Sequence, residues 1–187
     1  MIAVVDYGVG NLFSLLCSLR SLGLDCVVTN QKEVLKRAER IILPGVGAFG
    51  DAMEKLRESG LVDTVKELGA EKPLLGICLG MQLLFDKSME HGEHEGLGLI
   101  SGSVLPLAKD IAPTLKVPHM GWNKLEIVRD DPIFRHFQNG EWVYYVHSYY
   151  AANCCDHILG VSEYGVRVPG LVRSGRYWLR KAIICAS

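Results

Sequence analysis

Apolar residues along this chain follow one rhythm in its first half and another in its second. Residues 2–6, Arg40-Ile41-Ile42-Leu43 and Leu74-Leu75-Gly76-Ile77 are short apolar runs that barely alternate with polar positions. Such runs suit strands buried on both faces of a parallel sheet. A further strand is predicted over Asp25 to Thr29. Between the strands lie predicted helices at 12–22, 31–38, 51–58 and 61–68. Asn11 is a suitable N-cap for the first helix, and Gly23 a natural residue just past its end. Four β/α repeats in succession predict an α/β fold with an open, mostly parallel sheet flanked by helices. Further on, short β-rich pieces at 97–105, 115–119, 124–128, 142–151, 158–164 and 167–174 are punctuated by Gly, Pro and Asn. They predict antiparallel strands and hairpins added to the parallel core. No repeat, low-complexity segment or linker interrupts the pattern, which predicts one domain over 1–187.

Composition narrows the setting. The chain is 49% hydrophobic and 22% charged, with a net charge of −1. Its basic clusters are short, so no electrostatic footprint for nucleic acid or membrane is expected. The N-terminus enters a strand without the basic start and apolar core of a signal peptide, and no apolar run is long enough to span a bilayer. The six cysteines are scattered and include no C-x-x-C. That usage predicts reduced thiols in a cytoplasmic protein.

Candidate chemistry concentrates in loops that follow strands, where α/β sheets place their sites. Gly76-Ile77-Cys78-Leu79-Gly80 has the form of a nucleophile elbow with cysteine at its apex. A strand-to-helix turn that tight strains the nucleophile's backbone and requires glycine on either side. The helix beyond it is expected to favour thiolate at Cys78 and to aim Gln82, one turn on, into the same pocket. A buried cysteine in an ordinary βα turn is the alternative. Pro44-Gly45-Val46-Gly47-Ala48-Phe49-Gly50 can turn its N–H groups outward as an anion nest or oxyanion hole, or serve as a plain connector. Asp6-Tyr7-Gly8-Val9-Gly10-Asn11 resembles a dinucleotide phosphate loop, but Phe13 stands where the third glycine belongs. His91 and His94 sit among glutamates, yet the stretch 86–96 reads as a solvated polar loop with no metal.

Together these residues are similar to a known family. Gly76-Ile-Cys-Leu-Gly-Met-Gln82, Pro44-Gly-Val-Gly47 and Val146-His-Ser-Tyr149 resemble the class I (triad) glutamine amidotransferases. Asp6-Tyr-Gly-Val-Gly-Asn11 and Pro118-His-Met-Gly-Trp-Asn123 narrow the resemblance to the glutaminase subunits of imidazole glycerol phosphate synthase. The resemblance implies that Cys78 attacks the side-chain amide of glutamine, forms a glutamyl thioester and expels ammonia, after which water releases glutamate. It implies an oxyanion hole from Leu79 N–H and the Gly45-Val46-Gly47 loop, which is expected to reorient when the partner is loaded. Gln82, Glu90, Ser148 and Tyr149 are implied to hold the amino acid end of glutamine, with backbone contacts from His147. The implied partner is the cyclase subunit, a (β/α)8 barrel that receives the ammonia. Asn11, Trp122 and Tyr144 would lie at the docking face or ammonia passage. No cofactor is implied.

The tail departs from the family. The resemblance implies a basic histidine and, two residues on, an orienting glutamate near the C-terminus. Here no histidine follows His157 and no glutamate follows Glu163. The match stops abruptly near Gly175, as expected of a frameshift or altered 3′ end; a tail diverged toward another role is the alternative. Tyr177, Trp178 and Ile183-Ile184 would then fill, or fail to fill, the patch left by a closing helix. Three functions follow: a working glutaminase subunit, a catalytically impaired binding subunit, or another thiol enzyme built on the same elbow. The tail separates the first two, while Gln82 and Glu90 argue against the third.

Overall fold

The computed structural model describes residues 1–175 and the backbone of Ile183–Ile184. Its centre is a parallel sheet of four short strands, β1 (Ile2–Val5), β2 (Cys26–Thr29), β3 (Arg40–Leu43) and β4 (Leu74–Gly76), in the order β2-β1-β3-β4. Helices α1 (Leu12–Ser21), α2 (Lys32–Arg37), α3 (Phe49–Glu58) and α4 (Val62–Glu71) connect them. Alternation along the strands divides the apolar residues between two faces. Ala3, Val5, Ile41 and Leu43 pack with Leu35 of α2, Met53 and Leu56 of α3, and Val65 and Leu68 of α4. Ile2, Val4 and Ile42 face the other way, toward Leu19 of α1. This second face is thinly covered: Leu19 is the one buried residue of α1, and Val28, Leu75 and Ile77 stay half-buried.

Beyond the single-turn helix α5 (Leu79–Gln82), the described residues build three further sheets from β5 (Phe85–Ser88), β6 (His94–Glu95), β7 (Ile100–Pro106), β8 (His119–Lys124), β9 (Glu126–Ile127), β10 (Trp142–His147), β11 (Tyr149–Ala152), β12 (Ile158–Glu163), β13 (Arg167–Val172) and β14 (Ile183–Ile184). They are ordered β11-β7-β5-β6, β10-β8 and β14-β13-β12-β9. The expected α/β architecture with a parallel core and added antiparallel strands is present, and β5 with β7 contributes one further parallel pair.

Several boundaries differ from those the pattern predicts, each for a physical reason. The stretch read as a solvated loop forms the hairpin β5–β6, turning at His91 and Gly92 with positive φ. Its buried positions, Phe85 and Ser88, do not alternate, which hid the strand. The piece at 142–151 is two strands: β10 pairs with β8, then the chain leaves that ribbon at Ser148 and β11 joins β7. No glycine or proline marks the break. Strand β8 lies at 119–124 rather than 115–119, after the cis peptide between Val117 and Pro118. Helix α3 begins at Phe49 rather than Asp51 because its cap comes from far along the chain: the Glu90 carboxylate accepts from Phe49 N–H at 2.6 Å. Tyr177 and Trp178 lie outside the described residues; Ile184 and Ile183 pair with Leu171 and Val172 of β13.

The close approach of β3 to α5 depends on Gly80, where an added Cβ would drive into the Leu43 carbonyl. Backbone cannot swing aside as a side chain can. Gly80→Ala is expected to destabilise the protein by about 3 kcal/mol, read as a lowered urea midpoint with unchanged slope.

Candidate active site

Strand β4 ends by handing Ile77 N–H to the Leu43 carbonyl at 3.0 Å, and the chain then reverses at Cys78. Cys78 adopts φ 55° and ψ −121°, a left-handed conformation that a residue with a Cβ rarely takes. It persists because the surroundings over-determine it. Gly80 N–H returns to the Ile77 carbonyl at 3.0 Å, and Met81 N–H bonds the Cys78 carbonyl at 2.9 Å. A Cβ on Gly76 would stand 2.6 Å from Met81 Cα, and one on Gly45 would stand 2.5 Å from Gly80 N. Three glycines thus let the 44–47 loop, β4 and α5 meet backbone to backbone.

A cavity of about 400 Å³ opens beside the sulfur, lined by Val46, Gly47, Cys78, Leu79, Gln82, Glu90, Pro118, Val146, His147, Ser148 and Tyr149. Most of the residues singled out from the sequence for nucleophile, oxyanion and substrate contacts therefore converge on one space. Gly45 does not line it; it packs behind, against Leu79 and Gly80. Gln82 Nε2 reaches the Tyr149 carbonyl at 3.5 Å. Glu90 walls the cavity while one of its oxygens caps α3. Asn11, Trp122 and Tyr144 lie outside the cavity. Asn11 caps α1 by accepting from Ser14 N–H at 3.2 Å. Trp122 and Tyr144 sit opposite each other on β8 and β10, their rings edge to face at 5.5 Å. Trp122 is 67% exposed, in a row with Met120, Trp142, Tyr144 and Val146, and Val146 joins that row to the cavity.

The electrostatics correct one expectation. Burial pushes the Cys78 thiol up from its ordinary value, with the Leu79 backbone N–H pulling the other way. Helix α5 has four residues, too short a stack of peptide dipoles to outweigh desolvation. Burial thus favours the thiol over the thiolate. Two neighbours escaped the sequence reading of the site. Tyr7 is buried, donates to the Pro44 carbonyl at 2.7 Å, and has its phenol pushed up by burial and then by Cys78. It thereby fastens the end of β1 to the root of the 44–47 loop; a tyrosine following a strand carries no signal of that. Pro118, which lines the cavity, follows a cis peptide bond.

His147 is the one histidine among the described residues that lines the cavity. Its Nδ1 bonds the Tyr149 carbonyl at 3.0 Å and its Nε2 meets His119 Nδ1 at 2.9 Å. Both ring nitrogens are engaged, so His147 offers Cys78 no free base. Among the described residues, no cluster of His, Cys, Asp and Glu could hold a metal ion, and no helix is long and apolar enough to cross a membrane.

A raised thiol pKa depresses the thiolate fraction at neutral pH and moves its growth to higher pH. Alkylation of Cys78 by iodoacetamide is therefore expected to keep accelerating above pH 9, the ordinary thiol midpoint, in a mass-spectrometric rate profile. A plateau below pH 8 would show an activated resting thiolate instead.

Comparison with known proteins places this geometry. The profile of the family "Glutamine amidotransferase class-I" matches residues 3–175. The imidazole glycerol phosphate synthase subunit HisH of Bacillus cytotoxicus is 49% identical over 176 residues, 94% of this chain and 82% of that protein. The protein of the same name from Bacillus cereus strain G9842 is 49% identical over 177 residues, with the same coverage. Among solved structures, a glutamine amidotransferase superposes with a TM-score of 0.72 at 19% identity, covering 98% of this chain and 88% of that one. The glutaminase domain of Trypanosoma brucei CTPS with bound acivicin gives 0.65 at 16% identity, covering 98% and 83%. At those identities the structures speak for the fold alone. The profile match and the HisH relatives establish that this chain belongs to the class I glutamine amidotransferase family.

Proposed function

We propose that this chain is the glutaminase subunit of an imidazole glycerol phosphate synthase, a single amidotransferase domain that hydrolyses glutamine and passes ammonia to a cyclase partner. The observation that carries the reading is Cys78 at the apex of a glycine-packed elbow, opening on a cavity walled by Gln82, Glu90 and 147–149. Glutamine enters with its amide carbon against the sulfur. Glu90 offers a carboxylate to its ammonium, while Gln82, Ser148 and Tyr149 offer polar contacts to its amino acid end. Attack forms a C–S bond and places negative charge on the amide oxygen. Leu79 N–H and an N–H of the Val46–Gly47 segment stabilise that oxyanion. Collapse breaks the C–N bond and releases ammonia after proton transfer. Water then cleaves the thioester to glutamate and restores the thiol.

Because burial favours the thiol form of Cys78, a base must take its proton. The described residues supply nucleophile, oxyanion donors and substrate wall, but His147 is spoken for and no other histidine among them lines the cavity. In the presence of the partner, added imidazole is therefore expected to raise glutamate release from this chain at least about tenfold, with Cys78→Ala silent throughout. No response to imidazole would show that a base is already in place. Glutamate release that persists in Cys78→Ala would overturn the mechanism.

The relatives are named as subunits, and the row Met120, Trp122, Trp142, Tyr144 and Val146 is a surface suited to a partner. It borders the cavity, so ammonia would leave toward the docked cyclase rather than into water. The heterodimer, its (β/α)8-barrel partner and a cytoplasmic setting belong to this same reading. Trp122→Ala and Tyr144→Ala are each expected to weaken partner binding by about 2 kcal/mol, roughly 30-fold in Kd, by titration calorimetry. Unchanged affinity in both would remove the ribbon from the interface.

A further inference from the structure

His119 is 3% exposed yet polar, and it lies behind the cavity wall rather than in it. Its imidazole is sandwiched between Tyr164, at 3.8 Å between centroids, and Tyr145, at 4.8 Å, both nearly parallel to it. The two outer rings are themselves tied down. Tyr164 O–H donates to the Lys116 carbonyl at 2.9 Å. Tyr145 O–H meets Ser162 Oγ at 2.9 Å, and Ser162 donates onward to the Lys124 carbonyl at 2.8 Å. The stack leaves His119 no freedom to tilt, and its Nδ1 is directed at His147 Nε2.

The proton positions follow from the partners. A carbonyl only accepts, so His147 Nδ1 carries the hydrogen donated to Tyr149 O. Neutral His147 then presents an Nε2 lone pair, and His119 Nδ1 must supply the hydrogen between the two rings. Burial lowers the pKa of both rings, His119 to about 4, in keeping with two neutral imidazoles at pH 7. Tyr149 O is also where Gln82 Nε2 reaches.

We propose that His119 is a positioning residue for the substrate wall: its Nδ1–H locks His147, which in turn fixes the Tyr149 carbonyl and the 147–149 segment against Cys78 and Gln82. This rests on the reading of the cavity as a glutamine site. The chain of contacts is donor-specific and runs one way, from the aromatic stack to the wall. A role in packing alone would need only a flat ring at position 119. A positioning role needs an N–H at the place of Nδ1, which asparagine supplies and phenylalanine does not.

The test therefore crosses two substitutions in the full chain, with Cys78 labelling by a glutamine-like chloroketone read as KI and kinact. His119→Phe is expected to raise KI about tenfold with kinact within about twofold, whereas His119→Asn stays within about threefold of the unaltered protein in KI. The reverse order, or Phe equal to the unaltered protein, overturns the proposal. Ring-nitrogen NMR of the unliganded protein supplies a readout independent of glutamine. Both His119 and His147 are expected as neutral Nδ1–H tautomers at pH 7, and either ring in the Nε2–H form overturns it. Non-saturable labelling of the unaltered protein with those tautomers intact would instead refute the glutamine site and leave the histidine lock standing.

Discussion

Backbone packed directly on backbone, where the loop after β3 meets the first turn of α5, is the contact on which everything else in the site depends. Gly45, Gly76 and Gly80 have no Cβ because none would fit: each would strike backbone of a neighbouring segment. That intimacy holds Cys78 in a left-handed conformation which an isolated chain would abandon. It sets Leu79 N–H beside the sulfur and brings the 44–47 loop to the same cavity. The rest of the parallel sheet, with unbroken apolar strands and helices on both faces, supplies the rigidity that bears this local strain.

The sequence made the sheet legible because β1 and β3 are buried on both faces and announce themselves as apolar runs. Helix α1 was equally plain, since Asn11 carries its own cap and Gly23 its own stop. The boundaries that differ are set by partners distant in sequence. Glu90 starts α3 from 41 residues away, and β10 and β11 divide at Ser148 only because each has a different neighbour. The site was legible for a related reason. An elbow is local, so Cys78, Leu79 and Gln82 could be placed together from spacing, while Glu90 and 147–149 entered through family resemblance. The ionisation of Cys78 was not legible, because burial is a property of the assembled fold. Tyr7 and His119 were likewise invisible as contributors, each acting through one hydrogen bond to a segment far away in sequence.

The molecule also separates its tasks by face. Along β8 and β10 the outward Met120, Trp122, Trp142, Tyr144 and Val146 are large and exposed, with Lys124 over the Trp142 ring at the end of the row, whereas the inward His119 and Tyr145 are buried and hydrogen-bonded. Strand alternation alone achieves this, so an exposed apolar row and a buried hydrogen-bonded network share twelve residues without mixing. Val146 is the exception, belonging to the row and to the cavity rim at once.

Glu90 has a consequence of its own. The carboxylate that walls the cavity also closes the free N-terminus of α3, and α3 begins directly after the 44–48 segment. One carboxylate thus serves a helix terminus and the cavity wall at once, with Oε2 bonded to Phe49 N–H. Removing it would strip the cap from α3 and reshape the cavity in a single step, so the two cannot be altered independently at position 90.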